Sequence, residues 1–382
     1  MTKIDKHELL VVDDDRLIRM VMGKYLENEG HRVSFAVNGR EALEMLAKQP
    51  FDMVLLDIEM SEMNGYQVLE KVMADPFLRD IPVIVTSALE QMDSVVRCIE
   101  MGAEDYLTKP VDRVLLKARI DASLEKKRLR DQQTSHLRRL EREMEIARQT
   151  QLSILPEQLP QVTGFKLGAL MIPARAVGGD FYDVIDLGDG QWGIVVGDVS
   201  GKGLPAALFM TLTYSLLRTE AARGVPPGQA LRNVNRALLG MNSTSMFVTV
   251  LCGILDTNEG RFSYARAGHP NPLVISSAGE VLGISLRSSQ AIGLFDDLQI
   301  DEGTMEIPPG GIVLLYSDGL SEATDSADRQ FGEERLPHVL KNLIHLSPQA
   351  ICEGLWEAVL RYCGESPQQD DLTLLAIKSI SE

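Results

Sequence analysis

Short acidic motifs recur at four places after residue 177 of this 382-residue chain, three of them with aspartate beside glycine: Gly178-Gly179-Asp180, Gly197-Asp198-Val199-Ser200-Gly201-Lys202-Gly203, Ser317-Asp318-Gly319 and Asp370-Asp371-Leu372-Thr373. Each lies at the end of an apolar run, so a fold can gather them into an oxygen cage for hard divalent cations. Two such ions lower the pKa of a water and clamp phosphoryl oxygens, which is the chemistry of phosphate-ester hydrolysis. Taken singly each motif reads as a turn, because Asp and Gly both stabilise turns; the signal is the set of four. His269 beside Pro270 reads as a buried, hydrogen-bonded histidine rather than a general acid. Lys202 lacks the GxxxxGK[ST] spacing of a phosphate loop, which argues against a nucleotide site.

A second constellation occupies the front third. Asp13 and Asp14, Asp57, Ser87 and Lys109-Pro110 each follow a short apolar run. Three carboxylates suit Mg²⁺, while a hydroxyl and an ammonium beside them would bind the oxygens of a phosphoryl group arriving on Asp57. The metal screens the repulsion between that carboxylate nucleophile and the phosphate.

The elements needed to position these groups are legible. Glu8–Val12, Asp52–Leu56, Pro82–Thr86 and Asp105–Thr108 are continuous apolar runs, separated by stretches such as Gly39–Lys48 and Tyr66–Met73 with apolar residues every three or four positions. This alternation predicts a doubly wound α/β domain with a parallel sheet over residues 1–124, its site at the carboxyl ends of the strands. Residues 125–160 predict a helical linker. Ten basic and six acidic residues interleave between Lys117 and Arg148, which reads as a solvated helix rather than a polyanion-binding arm. Leu137, Leu140, Met144, Ala147, Gln151 and Ile154 keep the spacing of a left-handed coiled-coil seam, implying a homodimer, and Pro156 and Pro160 end the helix. Residues 161–382 alternate strand-like runs (Gly193–Val196, Met246–Leu251, Gly311–Tyr316, Leu372–Ile377) with helical stretches, predicting an α+β sandwich.

Composition excludes several classes. A net charge of −17 and a pI of about 4.9 argue against nucleic acid and anionic membrane surfaces, both polyanions. Cys98, Cys252, Cys352 and Cys363 form no CxxC pair and fit reduced thiols. No apolar run approaches the roughly 18 residues of a membrane span and no signal peptide is evident, so a cytoplasmic protein is expected.

The front constellation resembles the receiver domain of bacterial two-component response regulators, a flavodoxin-like fold. That resemblance implies Asp57 as phospho-acceptor, a Mg²⁺ held by Asp13, Asp14, Asp57 and the carbonyl of Glu59, Ser87 as switch hydroxyl, Lys109 on the phosphoryl oxygens, Tyr106 as the aromatic that reorients, and a sensor histidine kinase as donor. The four acidic motifs, with Tyr264-Ala265-Arg266-Ala267-Gly268-His269-Pro270, resemble the RsbU/SpoIIE-type branch of the PPM family of metal-dependent serine/threonine phosphatases, an αββα sandwich. Here the resemblance implies two Mn²⁺ or Mg²⁺ ions about 4 Å apart, bridged by Asp198. The Val199 carbonyl would ligate one of them and Asp318 and Asp370 the other, with Asp180 orienting water. Asp371 is a neighbour whose role is not separable from that of Asp370, and Arg175 stands where some relatives bind phosphate. The usual substrate would be a phosphorylated STAS-type anti-sigma-factor antagonist. The alternative is a noncatalytic adaptor that binds a sigma factor or its antagonist, which loss of the acids would mark; here all remain.

Overall fold

The computed structural model describes residues 6–88, 92–241, 245–282 and 287–380, and divides into two units, Met1–Leu140 and Glu141–Glu382. The first opens with β1 (Glu8–Val12), α1 (Arg16–Asn28), β2 (Arg32–Ala36), α2 (Gly39–Lys48), β3 (Met53–Asp57), α3 (Gly65–Ala74), β4 (Val83–Ser87), α4 (Met92–Glu100) and β5 (Asp105–Thr108). Side chains fix the helix starts: Asp15 accepts from the amides of Leu17 and Ile18, and Asn64 with Gln67 forms a reciprocal capping box. The parallel sheet runs β2-β1-β3-β4-β5, as expected of a doubly wound fold. Leu10, Val12, Val54, Leu56, Val83 and Val85 face one apolar layer, and Leu9, Val11, Met53, Leu55 and Ile84 face the other. β2 was the least legible strand. It lies at the sheet edge and is only partly buried, so it lacks the continuous apolar run of its neighbours.

Helix α5 (Arg113–Leu152) is unbroken for 40 residues. Its first turns bury Leu116, Ile120 and Leu124 in the front core, so the domain's last helix continues past residue 124 as the linker. Asp131–Leu140 is exposed throughout, including Leu137 and Leu140. The helix stops before Pro156, and Leu155 drops into the core of the second unit.

That unit contains β6 (Phe165–Ile172), β7 (Phe181–Gly188), β8 (Gln191–Val199), α6 (Leu204–Ala222), α7 (Pro227–Met241), β9 (Val248–Asp256), β10 (Arg261–Ala267), β11 (Leu273–Ile275), β12 (Val281–Leu282), β13 (Asp301–Glu306), β14 (Ile312–Tyr316), α8 (Asp318–Ser321), α9 (Leu336–Leu343), α10 (Pro348–Cys363) and β15 (Leu372–Ser379). Two antiparallel sheets, β13-β10-β9-β8-β7 and β12-β11-β14-β15-β6, pack face to face through Val184, Val196, Leu251 and Phe262 on one and Val313, Leu315, Leu375 and Ile377 on the other. Phe209, Met210, Tyr214, Leu231 and Leu238 of α6 and α7 cover the first sheet. Leu336, Leu340, Ile351 and Leu355 of α9 and α10 cover the second, completing the four layers. All four cysteines are free, and among the described residues no helix is long and apolar enough to cross a membrane.

Candidate functional site

In the front unit, parallel register alone aligns the chemistry. Val12 lies beside Leu56, Asp57 beside Thr86 and Ser87 beside Thr108, so the residues ending β1, β3, β4 and β5 share one edge. Oxygens of Asp13, Asp14 and Asp57 all lie within 4.8 Å of one another. The Lys109 ammonium sits 2.7 Å from Asp13 Oδ2 and 2.9 Å from Asp57 Oδ2. Burial raises the Asp57 pKa above the ordinary carboxylate value while Lys109 draws it back, and Asp57 Oδ1 is buried with no hydrogen-bond partner. An orphaned carboxylate oxygen beside two further carboxylates fits a hard cation. Ser87 is buried at the end of β4, Tyr106 is half-buried on β5, and Glu59 is exposed two residues beyond Asp57.

Antiparallel register does the equivalent in the back unit. Phe181 pairs with Gly197, which sets Asp180, just before β7, across from Asp198 near the end of β8. Tyr316 pairs with Leu374, which brings Ser317-Asp318 at the end of β14 beside Asp370-Asp371 at the start of β15. A hydroxyl bridges the two sheets at this end: Ser317 Oγ donates to Asp180 Oδ2 at 2.7 Å and accepts from the Thr373 amide at 2.9 Å. Gly319 is required there, because a Cβ would stand 1.9 Å from the Asp371 carbonyl oxygen.

The carboxylates repel one another. Burial, then Asp318, pushes the Asp198 pKa up to about 7. Burial and Asp198 hold Asp180 well above its ordinary value, and burial, Glu322 and Asp370 raise Asp318. Asp180 Oδ1 is buried without a hydrogen-bond partner. Crowded, dehydrated carboxylates with an orphaned oxygen fit divalent cations. Among the described residues no three of these acids converge within 4.8 Å, so they are spaced more widely than the front triad. Lys202 reaches this rim, its Nζ 3.0 Å from Asp370 Oδ2, and also donates to the Gln369 carbonyl.

The structure separates two residues that sequence left together. Asp371 is buried, its Oδ1 accepting from the Ala174 amide at 2.8 Å and its Oδ2 from the Gly179 amide at 2.6 Å, so it holds the loop that carries Asp180. Asp370 stays at the rim with its side chain 40% exposed. His269 is buried with Nδ1 3.0 Å from Thr249 Oγ1, and burial followed by Arg266 lowers its pKa to about 3, so it stays neutral. Arg175 is exposed on the loop before Asp180. Gln151, which spacing placed in the coiled-coil seam, is instead buried against Gly178. Two contributors escaped the sequence reading: Ser317, read only as part of a turn, and the loop-holding role of Asp371. An aspartate pair just before a strand could have hinted that one carboxylate faces inward and the other outward.

A family model described as Stage II sporulation protein E (SpoIIE) matches residues 188–379, and one described as response regulator receiver domain matches residues 9–121. Protein IcfG of Synechocystis sp. is 30% identical over 62% of this chain, which spans only 41% of that protein's length. The phosphoserine phosphatase RsbU of Bacillus subtilis is 26% identical over 62% of this chain and 70% of its own. The crystal structure of the RsbU and RsbW domains of Rv1364c from Mycobacterium tuberculosis superposes with a TM-score of 0.54 at 28% identity, covering 60% of this chain and 63% of that one.

Proposed function

Since the chain belongs to the SpoIIE family over residues 188–379 and carries a response-regulator receiver domain over residues 9–121, we propose that it is a protein serine/threonine phosphatase controlled by phosphorylation of Asp57. The observation that carries this reading is the convergence of Asp180, Asp198, Asp318 and Asp370 at one end of the sandwich, with Asp180 Oδ1 buried and unpartnered. Two Mn²⁺ or Mg²⁺ ions held by Asp198, the Val199 carbonyl, Asp318 and Asp370 would supply Lewis-acid activation of water and neutralise phosphoryl charge. Asp180, fixed by Ser317, would orient the attacking water, and Asp371 would hold the loop that carries it.

Three buried nucleophiles of the described residues are unsuited to a covalent route. Burial pushes the Cys252 and Cys352 thiols up to about 12, and His269 is buried. A cleft lined by Lys202, Glu322, Trp356, Leu360, Gln368 and Asp370 opens beside the acids and would take the chain flanking the phosphorylated residue. In the receiver, Asp57 would accept the phosphoryl group from a sensor histidine kinase, with Mg²⁺ on Asp13, Asp14, Asp57 and the Glu59 carbonyl. Lys109 would contact the phosphoryl oxygens, and Ser87 with Tyr106 would answer its arrival.

The substrate we infer is a phosphorylated STAS-type anti-sigma-factor antagonist, in a cytoplasmic partner-switching pathway, with the chain dimerised through its linker. The Bacillus subtilis relative's name as a phosphoserine phosphatase supports the ester class. The test incubates the full chain with candidate phosphorylated STAS proteins in Mn²⁺ or EDTA, with and without acetyl phosphate. Mn²⁺-dependent phosphate release that responds to acetyl phosphate is the expected result. Absent release would leave the noncatalytic adaptor, and release insensitive to EDTA would refute the metal-dependent pocket.

A further inference from the structure

The loop from β8 to α6 carries a cation to the acidic pocket. Its root is fixed: the Ser200 amide donates to the Phe247 carbonyl and Ser200 Oγ accepts from the Phe247 amide, both at 2.9 Å. Gly201 and Gly203 follow with φ of +88° and +76°. A Cβ on either would meet nothing within 4 Å, so glycine serves the backbone turn there and not a lack of space. Between them, Lys202 reaches the start of β15, where its Nζ lies 3.0 Å from Asp370 Oδ2 and donates to the Gln369 carbonyl. Its side chain is 35% exposed, and with Gly319, Trp356 and Asp370 it lines the cleft that opens beside the acids. Among the described residues no other Lys or Arg lies within ion-pair distance of Asp180, Asp198, Asp318 or Asp370. Arg175, the cation that the sequence also offers, is exposed on the loop before Asp180.

An ammonium resting on a carboxylate that is to hold a divalent ion has a partner to give up. Once Asp370 ligates an ion, its charge is met there. The ammonium, still kept at the rim by the Gln369 carbonyl, then has donors free for another anion. A phosphate monoester entering the cleft brings negative charge to the same spot, and a lysine binds phosphate as a compact point charge with rotatable donors. We propose that Lys202 binds the phosphoryl oxygens of the substrate: it pairs with Asp370 while that carboxylate is free of metal and turns to the phosphate once it is not. This rests on the phosphatase reading, and it adds to the ions a contact that the chain itself makes with the ester.

The test follows hydrolysis of para-nitrophenyl phosphate, a monoester with no protein attached, by the full chain in Mn²⁺. Competitive inhibition by inorganic phosphate and Mn²⁺ binding by calorimetry are measured beside it. Lys202→Met keeps the stem and removes the charge. It is expected to raise KM for the ester and the inhibition constant for phosphate together, about ten-fold. The back-unit Kd for Mn²⁺ is expected to stay unchanged or to tighten by up to about five-fold, because a partly exposed ion pair that competed for Asp370 is gone. Lys202→Arg keeps a cation and is expected to restore most of both constants. Constants unchanged in Lys202→Met overturn the proposal. So does a weaker Kd for Mn²⁺, which would make Lys202 a support of the metal pocket, and so does a rise confined to Arg175→Met. Wild-type protein that neither binds Mn²⁺ in the back unit nor hydrolyses the ester overturns instead the reading on which the proposal rests.

Discussion

Replacing Asp198 with asparagine should stabilise the metal-free protein and abolish its response to metal. Burial and the neighbouring Asp318 raise the Asp198 pKa from the ordinary 3.8 to about 7. A carboxyl whose folded pKa lies above its unfolded one costs no stability below the unfolded value. Stability then falls as pH rises from about 4 to 7, and the full cost applies above that. At about 1.36 kcal/mol per pKa unit the cost at pH 8 is about 4 kcal/mol, and a residual desolvation cost for the buried amide reduces the gain on substitution to about 2 to 4 kcal/mol. For a domain of this size that corresponds to a rise in melting temperature of roughly 5 to 15 °C in EDTA. At pH 5 the difference should shrink to less than half. Mn²⁺ at a hundred times its Kd should stabilise wild type by about 2.7 kcal/mol per ion and leave the back-unit transition of Asp198→Asn unmoved. Differential scanning calorimetry of the full chain at both pH values, with and without Mn²⁺, provides the comparison. A variant that melts below wild type in EDTA at pH 8, or that Mn²⁺ protects as well as it protects wild type, would refute the idea of a strained, metal-seeking carboxylate.

Asp57→Ala should abolish labelling by acetyl phosphate, because the substitution removes the acceptor carboxylate that Lys109 contacts at 2.9 Å; label that persists on an intact variant would assign the acceptor elsewhere. Charged replacements at Leu137 and Leu140, which are 58% and 41% exposed in the single chain, should convert a dimer to monomer in sedimentation velocity, and an unchanged mass would discard the coiled-coil seam. His269, with its pKa lowered to about 3 by burial and Arg266, should show no imidazole titration between pH 5 and 9 by NMR. A transition near 6.5 would mean that its environment is wet.

The residues that could do chemistry were legible because their signal is local. Short apolar runs ending in Asp13-Asp14, Asp57, Ser87 and Lys109 announce parallel strands and the edge where their ends meet, and the structure aligns that edge through simple strand pairing. Four acidic motifs at the ends of strand-like runs point to a gathering of carboxylates in the same way. β2 was hard to read because an edge strand with one wet side keeps no unbroken apolar run. Heptad spacing extended the seam to Gln151 because spacing counts residues along a helix and cannot tell a partner's surface from the chain's own.

Which carboxylate is buried and tied to backbone amides, and which faces outward, was decided only in three dimensions. Asp370 and Asp371 are adjacent and chemically identical in sequence, yet one is tied to the amides of Ala174 and Gly179 and the other faces solvent and Lys202. Ser317 gained its place from a bond to Asp180, 137 positions away. Residue type and period fix how each segment folds, because those preferences act over a few residues. Burial, mutual repulsion and hydrogen bonding depend on every group that surrounds a site, and these neighbours exist only once register has brought distant strands together.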